Sequence, residues 1–272
     1  MDIELEQPET WPDALRELVN RNRGQLVSYQ LARERIDELL REDVGARIWP
    51  PKNQWREVYE ALIKEAEALL LGHRLVGYHC TRLTAPEVVG IRANGLRALT
   101  PHLVAERINA LKDAGEMQPE RCAFFLDGPV LADYLANRRG TRAGSVWLCP
   151  NRSVLRDAPA VFGLLSYWGG EALYKGFEHE AGTAAELRSI GKPAIVRYAV
   201  PFDSVLASNV APRLLSHAVT ATIAHPEPSV SFDWNVRRDL AASEVTDIIL
   251  FEDAGFDALT DQHSWVPPYR LP

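Results

Sequence analysis

The chain is poor in cysteine, with Cys80, Cys122 and Cys149 as its three in 272 residues. Three cannot all pair within one chain, and none stands in a CxxC or other metal-ligand spacing, so a reducing compartment fits best. Long hydrophobic runs are also missing. Runs such as Ala68–Leu71 and Ile248–Phe251 fall far short of the roughly 20 residues that a membrane helix needs, and no membrane partner is expected. The opening MDIELEQPET lacks the basic segment and apolar stretch of a secretion signal, so the expectation is a cytoplasmic location. Basic charge is scarce as well. A net charge of −7 argues against a broad, sequence-independent grip on nucleic acid, which depends on Lys and Arg neutralising phosphates. Arg138-Arg139 with Arg142, and Arg237-Arg238, read as solvated surface, with a local basic patch as the alternative.

Several catalytic signatures are absent: GxGxxG, GxxxxGK[ST], HExxH and GxSxG do not occur. Rossmann, P-loop, zincin and α/β-hydrolase readings lose their main support. His73, His102, His179, His217, His225 and His263 show no convincing ligand spacing, so no metal is expected. Cys80 beside His79 is excluded as a nucleophile–base pair, because neighbours on a strand point to opposite faces.

What is present is an ordinary globular composition, 46% hydrophobic and 25% charged, which marks a folding chain rather than a disordered one. Helical spacing runs from Trp11 to about Leu71, through Leu15, Leu18 and Val19 and, after a break, Ala32, Ile36, Leu39 and Leu40. Two helices are expected before Ile48-Trp-Pro-Pro-Lys-Asn53, where two prolines remove amide donors and force extended backbone. A third helix should run from about Gln54 to Leu71 and close at Gly72. There the period changes from about 3.6 to 2, and His73–Cys80 reads as a strand. This predicts an N-terminal helical module over 1–71 that supplies no catalytic groups, then a second domain over 72–272. In the latter, helices are expected over Ala85–Asn94, ended by Gly95, and Pro101–Gly115, with strands at Ala123–Leu126, Gly144–Cys149, Ala194–Val200 and Thr246–Phe251. The elements do not alternate regularly, so the class is α+β with a mixed sheet.

Gly77-Tyr-His-Cys-Thr-Arg-Leu is followed by a helical stretch ending Asn94-Gly95-Leu96. His79 and Thr81 stand two residues apart on one strand face, where an imidazole and a hydroxyl can hydrogen-bond ribose hydroxyls and a carboxamide. A satisfied core histidine is the plain alternative.

This His-x-Thr strand, helix and Gly-Leu resembles the first motif of ADP-ribosyltransferases of the diphtheria-toxin and poly(ADP-ribose) polymerase class. The pattern is also that of RNA 2′-phosphotransferases and DNA-modifying toxins of that fold. The resemblance implies an ADP-ribosyltransferase-like domain with NAD as substrate, His79 holding its ribose, and Thr81 and Arg82 beside it. Arg142-Ala-Gly-Ser-Val-Trp-Leu-Cys-Pro-Asn-Arg-Ser153 looks like the second family strand, in which an aromatic, usually tyrosine, stacks on nicotinamide. Trp147 takes that place; core packing is its alternative role.

The family places a glutamate on a late strand to stabilise the ribosyl centre as nicotinamide leaves. The matching Ser231–Arg238 offers Asp233, one methylene short, and Glu227 is a weaker match. Glu171 competes. It opens a helix after Tyr167-Trp-Gly-Gly, where the aromatics and paired glycines suggest the floor or lid of a nucleotide pocket, with Tyr167 a second stacking candidate. A helix N-terminus at which Glu171 complements the dipole explains the same residue structurally. His-Cys-Thr-Arg-Leu and Trp-Gly-Gly-Glu-Ala also resemble segments of uncharacterised bacterial proteins, over roughly 73–260, which bring no settled activity. The sequence-based expectation is thus an NAD-dependent transferase that moves ADP-ribose to a protein or nucleic-acid acceptor. Two alternatives stand: a related RNA 2′-phosphotransferase, and a non-catalytic binding protein with a partner on the N-terminal helices.

Overall fold

The computed structural model describes residues 1–128, 131–132, 142–156, 158–177, 179–205, 210–220, 223 and 233–260. Arg138, Arg139, Glu227, His225 and His263 lie outside the described residues. The chain is mixed α/β, helix-rich with a small mixed sheet, and divides into two compact units.

The first unit holds Met1–Leu75 with Pro201–Asp203 and the helix Val210–Thr220. Its helices are α1 (Asp13–Arg21), α2 (Arg23–Glu42), the short α3 (Val44–Ile48) and α4 (Arg56–Leu70). Leu15, Leu18 and Val19 form the buried stripe of α1, and Tyr59, Leu62, Ala66 and Leu70 that of α4. On α2 the buried positions are Leu26 and Gln30. The ridge expected at Ala32, Ile36, Leu39 and Leu40 is at most half-buried, with Leu39 47% exposed. Helical period alone does not say which face finds a neighbour. The helix Val210–Thr220 packs on α2 and α4, so this unit is not one continuous stretch of chain as the sequence suggested. A two-residue strand, β1 (Asp2–Ile3), pairs in parallel with Arg74 and Leu75.

The second unit begins within β2 (Arg74–Leu83), which ends three residues beyond the expected strand. Thr84 then caps α5 (Ala85–Asn94): its side chain accepts from the Glu87 amide, and the Glu87 carboxylate accepts from the Thr84 amide. Such a reciprocal cap satisfies two of the amides that a helix start leaves unpaired. Gly95 ends the helix at φ +87°, where a Cβ would sit 1.8 Å from the Leu240 carbonyl oxygen. Only glycine allows that approach, and Leu96 and Leu240 exchange hydrogen bonds of 3.0 and 2.8 Å beside it. The helices α6 (Pro101–Asp113) and α7 (Pro119–Asp127) follow. Ala123–Leu126, expected as a strand, lies inside α7, where Pro119 starts the helix and Cys122 and Phe125 are buried on one face. A short apolar run fits either period, and the helix won because α6 offers that face a partner.

Then come β3 (Val146–Leu148), α8 (Ala158–Ser166), the single-turn α9 (Glu171–Tyr174), α10 (Ala181–Ser189), β4 (Lys192–Pro201), β5 (Trp234–Val236), β6 (Val245–Leu250) and α12 (Ala254–Thr260), with Val210–Thr220 counted as α11. β2, β4 and β6 are successive neighbours in one sheet, and β4 and β6 run antiparallel. β3 and β5 form a separate antiparallel pair, Trp147 opposite Asn235. Reciprocal 2.8 Å hydrogen bonds between Tyr78 and Cys149 tie β2 to the end of β3. One apolar core gathers Phe125, Tyr167, Trp168, Leu173 and Leu187; another, against the sheet, gathers Val76, Cys80, Ile195 and Phe256. Among the described residues no helix is long and apolar enough to cross a membrane.

Candidate functional site

A cavity of about 340 Å³ opens in the second unit. That lies within the range of small-molecule sites, about 300–1,000 Å³. Its walls come from the C-terminal part of β2, from α5 and the Gly95-Leu96 turn, from α6, from β3, and from the Gly169–Ala172 turn into α9.

Strand alternation places His79 and Thr81 together on its wall. The His79 ring donates through Nδ1 to the Trp147 carbonyl at 2.8 Å, which leaves Nε2 as the acceptor. Burial holds the imidazole pKa below its ordinary 6.5, and the cations Arg107 and Arg142 push it the same way, against the opposing carbonyl contact. His79 is therefore neutral at physiological pH. The Trp147 carbonyl also accepts the Tyr198 hydroxyl at 3.3 Å.

Trp147 lines the cavity, and the Arg142 guanidinium lies 4.6 Å from its ring centroid. Its indole Nε1 is buried with no acceptor among the described residues. Arg142 joins both candidate carboxylates: Nε is 2.7 Å from Glu171 Oε2, and Nη2 is 3.4 Å from Asp233 Oδ2. Lys175 pairs with the other Glu171 oxygen at 2.6 Å. Gly169 and Gly170, both at positive φ, turn the chain so that Glu171 enters the cavity wall as the first residue of α9. Glu171 and Asp233, 62 positions apart in sequence, thus share one guanidinium. Burial raises the Asp233 carboxyl above its ordinary 3.8, Arg142 opposes this and Glu171 adds to it.

Two expected ligand residues are not brought to the cavity. Arg82 faces away from His79 and Thr81, as alternation requires, and its guanidinium donates to the carbonyls of Ile190, Leu165 and Gly191 at 2.9, 3.3 and 2.7 Å. It ties β2 to the turn before β4. Tyr167 is buried in the core, stacked on Tyr174 at 5.3 Å, and its hydroxyl accepts from Arg188 at 2.6 Å.

Sequence reasoning missed Arg107, Glu87, Asn94 and Ser145, which also line the cavity. Arg107 pairs with Glu87 at 2.5 Å and lies 4.7 Å over the Trp168 ring. Trp168 Nε1 donates to Glu87 at 3.1 Å. Burial alone would raise the Glu87 carboxyl, but Arg107 and these hydrogen bonds hold it below its ordinary 4.5. The Thr-x-x-Glu cap was the readable signal for Glu87. Among the described residues no group of three or more His, Cys, Asp or Glu side chains is placed to hold a metal. Compared with family models, curated proteins and solved structures, the chain matches none.

Proposed function

We propose that this chain is an NAD-dependent transferase, with an ADP-ribosyltransferase-like second domain, that passes ADP-ribose to a macromolecular acceptor and releases nicotinamide. One observation carries the reading: His79, Thr81, Trp147 and Glu171, drawn from three separate segments, line the same cavity. The β2 strand, the α5 helix and the Gly95-Leu96 turn follow the order of the motif that the sequence resembles. In the proposed reaction His79 Nε2 accepts from a ribose hydroxyl and Thr81 supplies a second polar contact. Trp147 stacks the nicotinamide ring. As the carbon–nitrogen bond breaks, its electron pair leaves with nicotinamide, and Glu171 stabilises the cationic ribosyl carbon, with Asp233 beside it. The acceptor's nucleophile then bonds to that carbon and loses its proton.

The test is release of nicotinamide from NAD. The parent should release it, and Glu171→Gln should lose about 100-fold or more in turnover while NAD binding survives, because shape is kept and charge removed. His79→Ala should weaken NAD binding about tenfold. The Trp147 carbonyl keeps the Tyr198 hydroxyl, so that variant still folds.

A binding module without catalysis is favoured by a different observation: Glu171 is already paired with two cations, Arg142 and Lys175. That reading expects no nicotinamide to be released and no heat-stabilisation of the chain by NAD. The 2′-phosphotransferase reading rests on Arg97, Arg107 and Arg142, since Arg82 is committed to backbone carbonyls.

A further inference from the structure

The charged wall of the cavity holds a flat cation of the protein's own. The Arg142 guanidinium lies 4.6 Å from the Trp147 ring centroid, with Glu171 and Asp233 at its edge, 2.7 and 3.4 Å away. An aromatic face with carboxylates at its rim is what a planar, delocalised, singly charged group requires. A pyridinium ring carries its charge in the same way. We propose that Arg142 is an internal occupant of the subsite for the ligand's flat cationic ring. It competes with that ring for Trp147, and the cavity selects the charged pyridinium over the neutral ring. The proposal rests on the NAD reading for the identity of the ring and not for the transfer step.

The contacts of Arg142 make the exchange feasible. Its partners among the described residues are side chains: two carboxylates and an indole face. Arg82, by contrast, is held by three backbone carbonyls. Arg142 can therefore leave by side-chain rotation with no main-chain hydrogen bond broken. Its departure would take away the cation that Glu171 and Asp233 share, while Lys175 stays paired with Glu171. An entering cation restores the balance of charge, whereas a neutral ring does not.

The test is calorimetric titration of the full chain and Arg142→Ala with 1-methylnicotinamide, a permanent pyridinium cation, and with neutral nicotinamide. Arg142→Ala should bind the cation about tenfold more tightly than the parent, with no comparable gain for nicotinamide. Adding Trp147→Leu should remove the gain. Equal or weaker binding of the cation by the variant overturns the proposal, and so does an equal gain for nicotinamide, which would report added space alone. Arg142→Gln carries the same test if the alanine variant does not fold. Nicotinamide release from NAD by the parent separates the two readings. A gain for the cation with no release in the parent keeps the inference and removes the transferase. Release without the gain keeps the transferase and removes the inference.

Discussion

Glu87 and Arg107 pair at 2.5 Å on one side of the cavity, and Glu171 and Arg142 pair at 2.7 Å on another, yet the two are built differently. Glu87 is anchored to secondary structure. It accepts from the Thr84 amide that it caps and from the Trp168 indole, and Arg107 covers that same indole. Arg142 is held through an exposed-edge arrangement of side chains, shared between two carboxylates whose charges oppose each other. The first pair completes a helix start and a core. The second concentrates like charge around one displaceable cation, which adds little to the fold and is suited to meeting a ligand.

The largest effect that would test this contrast is on stability. Glu87→Ala should cost about 3 kcal/mol in denaturant unfolding, because it leaves Arg107 with an uncompensated charge and uncaps α5. A loss under about 1 kcal/mol would put the two pairs in the same class.

His79 gives an intermediate effect, dependent on pH. Its folded pKa lies below the ordinary 6.5, so the unfolded chain takes up the proton first as pH falls. The stability contributed by the neutral ring is present above pH 6.5 and is lost as pH drops below it. His79→Gln, whose amide can still donate to the Trp147 carbonyl, should flatten the stability curve below that pH by up to about 1.4 kcal/mol per pH unit. Parallel curves for parent and variant would mean that His79 takes up its proton equally well in the folded chain.

The smallest effect is expected at the second pair. Glu171→Gln should shift unfolding by less than about 1 kcal/mol, since Arg142 keeps Asp233. Thermal melts of this variant beside Glu87→Ala sharpen the comparison, and a loss at Glu171 as large as that at Glu87 would break it.

Much of the site was legible locally. Alternation along β2 put His79 with Thr81, Gly95 closed α5 as its position before Leu96 suggested, and the paired glycines turned Glu171 into the cavity wall. These features depend on neighbours a few residues apart, where backbone geometry leaves few choices. Tyr167 and Arg82 went elsewhere for reasons that only packing supplies. Whether an aromatic beside a glycine pair faces a pocket or a core depends on what lies across from it, here Phe162, Tyr174 and Arg188. Whether an arginine in a motif meets a ligand depends on which carbonyls come within reach, here those of Ile190 and Gly191, more than 100 positions away. The residue that joins both candidate carboxylates, Arg142, reads in sequence as surface charge beside Arg138 and Arg139. Sequence determined the strand, the cap, the turns and the residue types available to the cavity. The tertiary structure decided which charges meet there, because a guanidinium finds partners by distance in space, and Arg142 and Asp233 stand 91 positions apart along the chain.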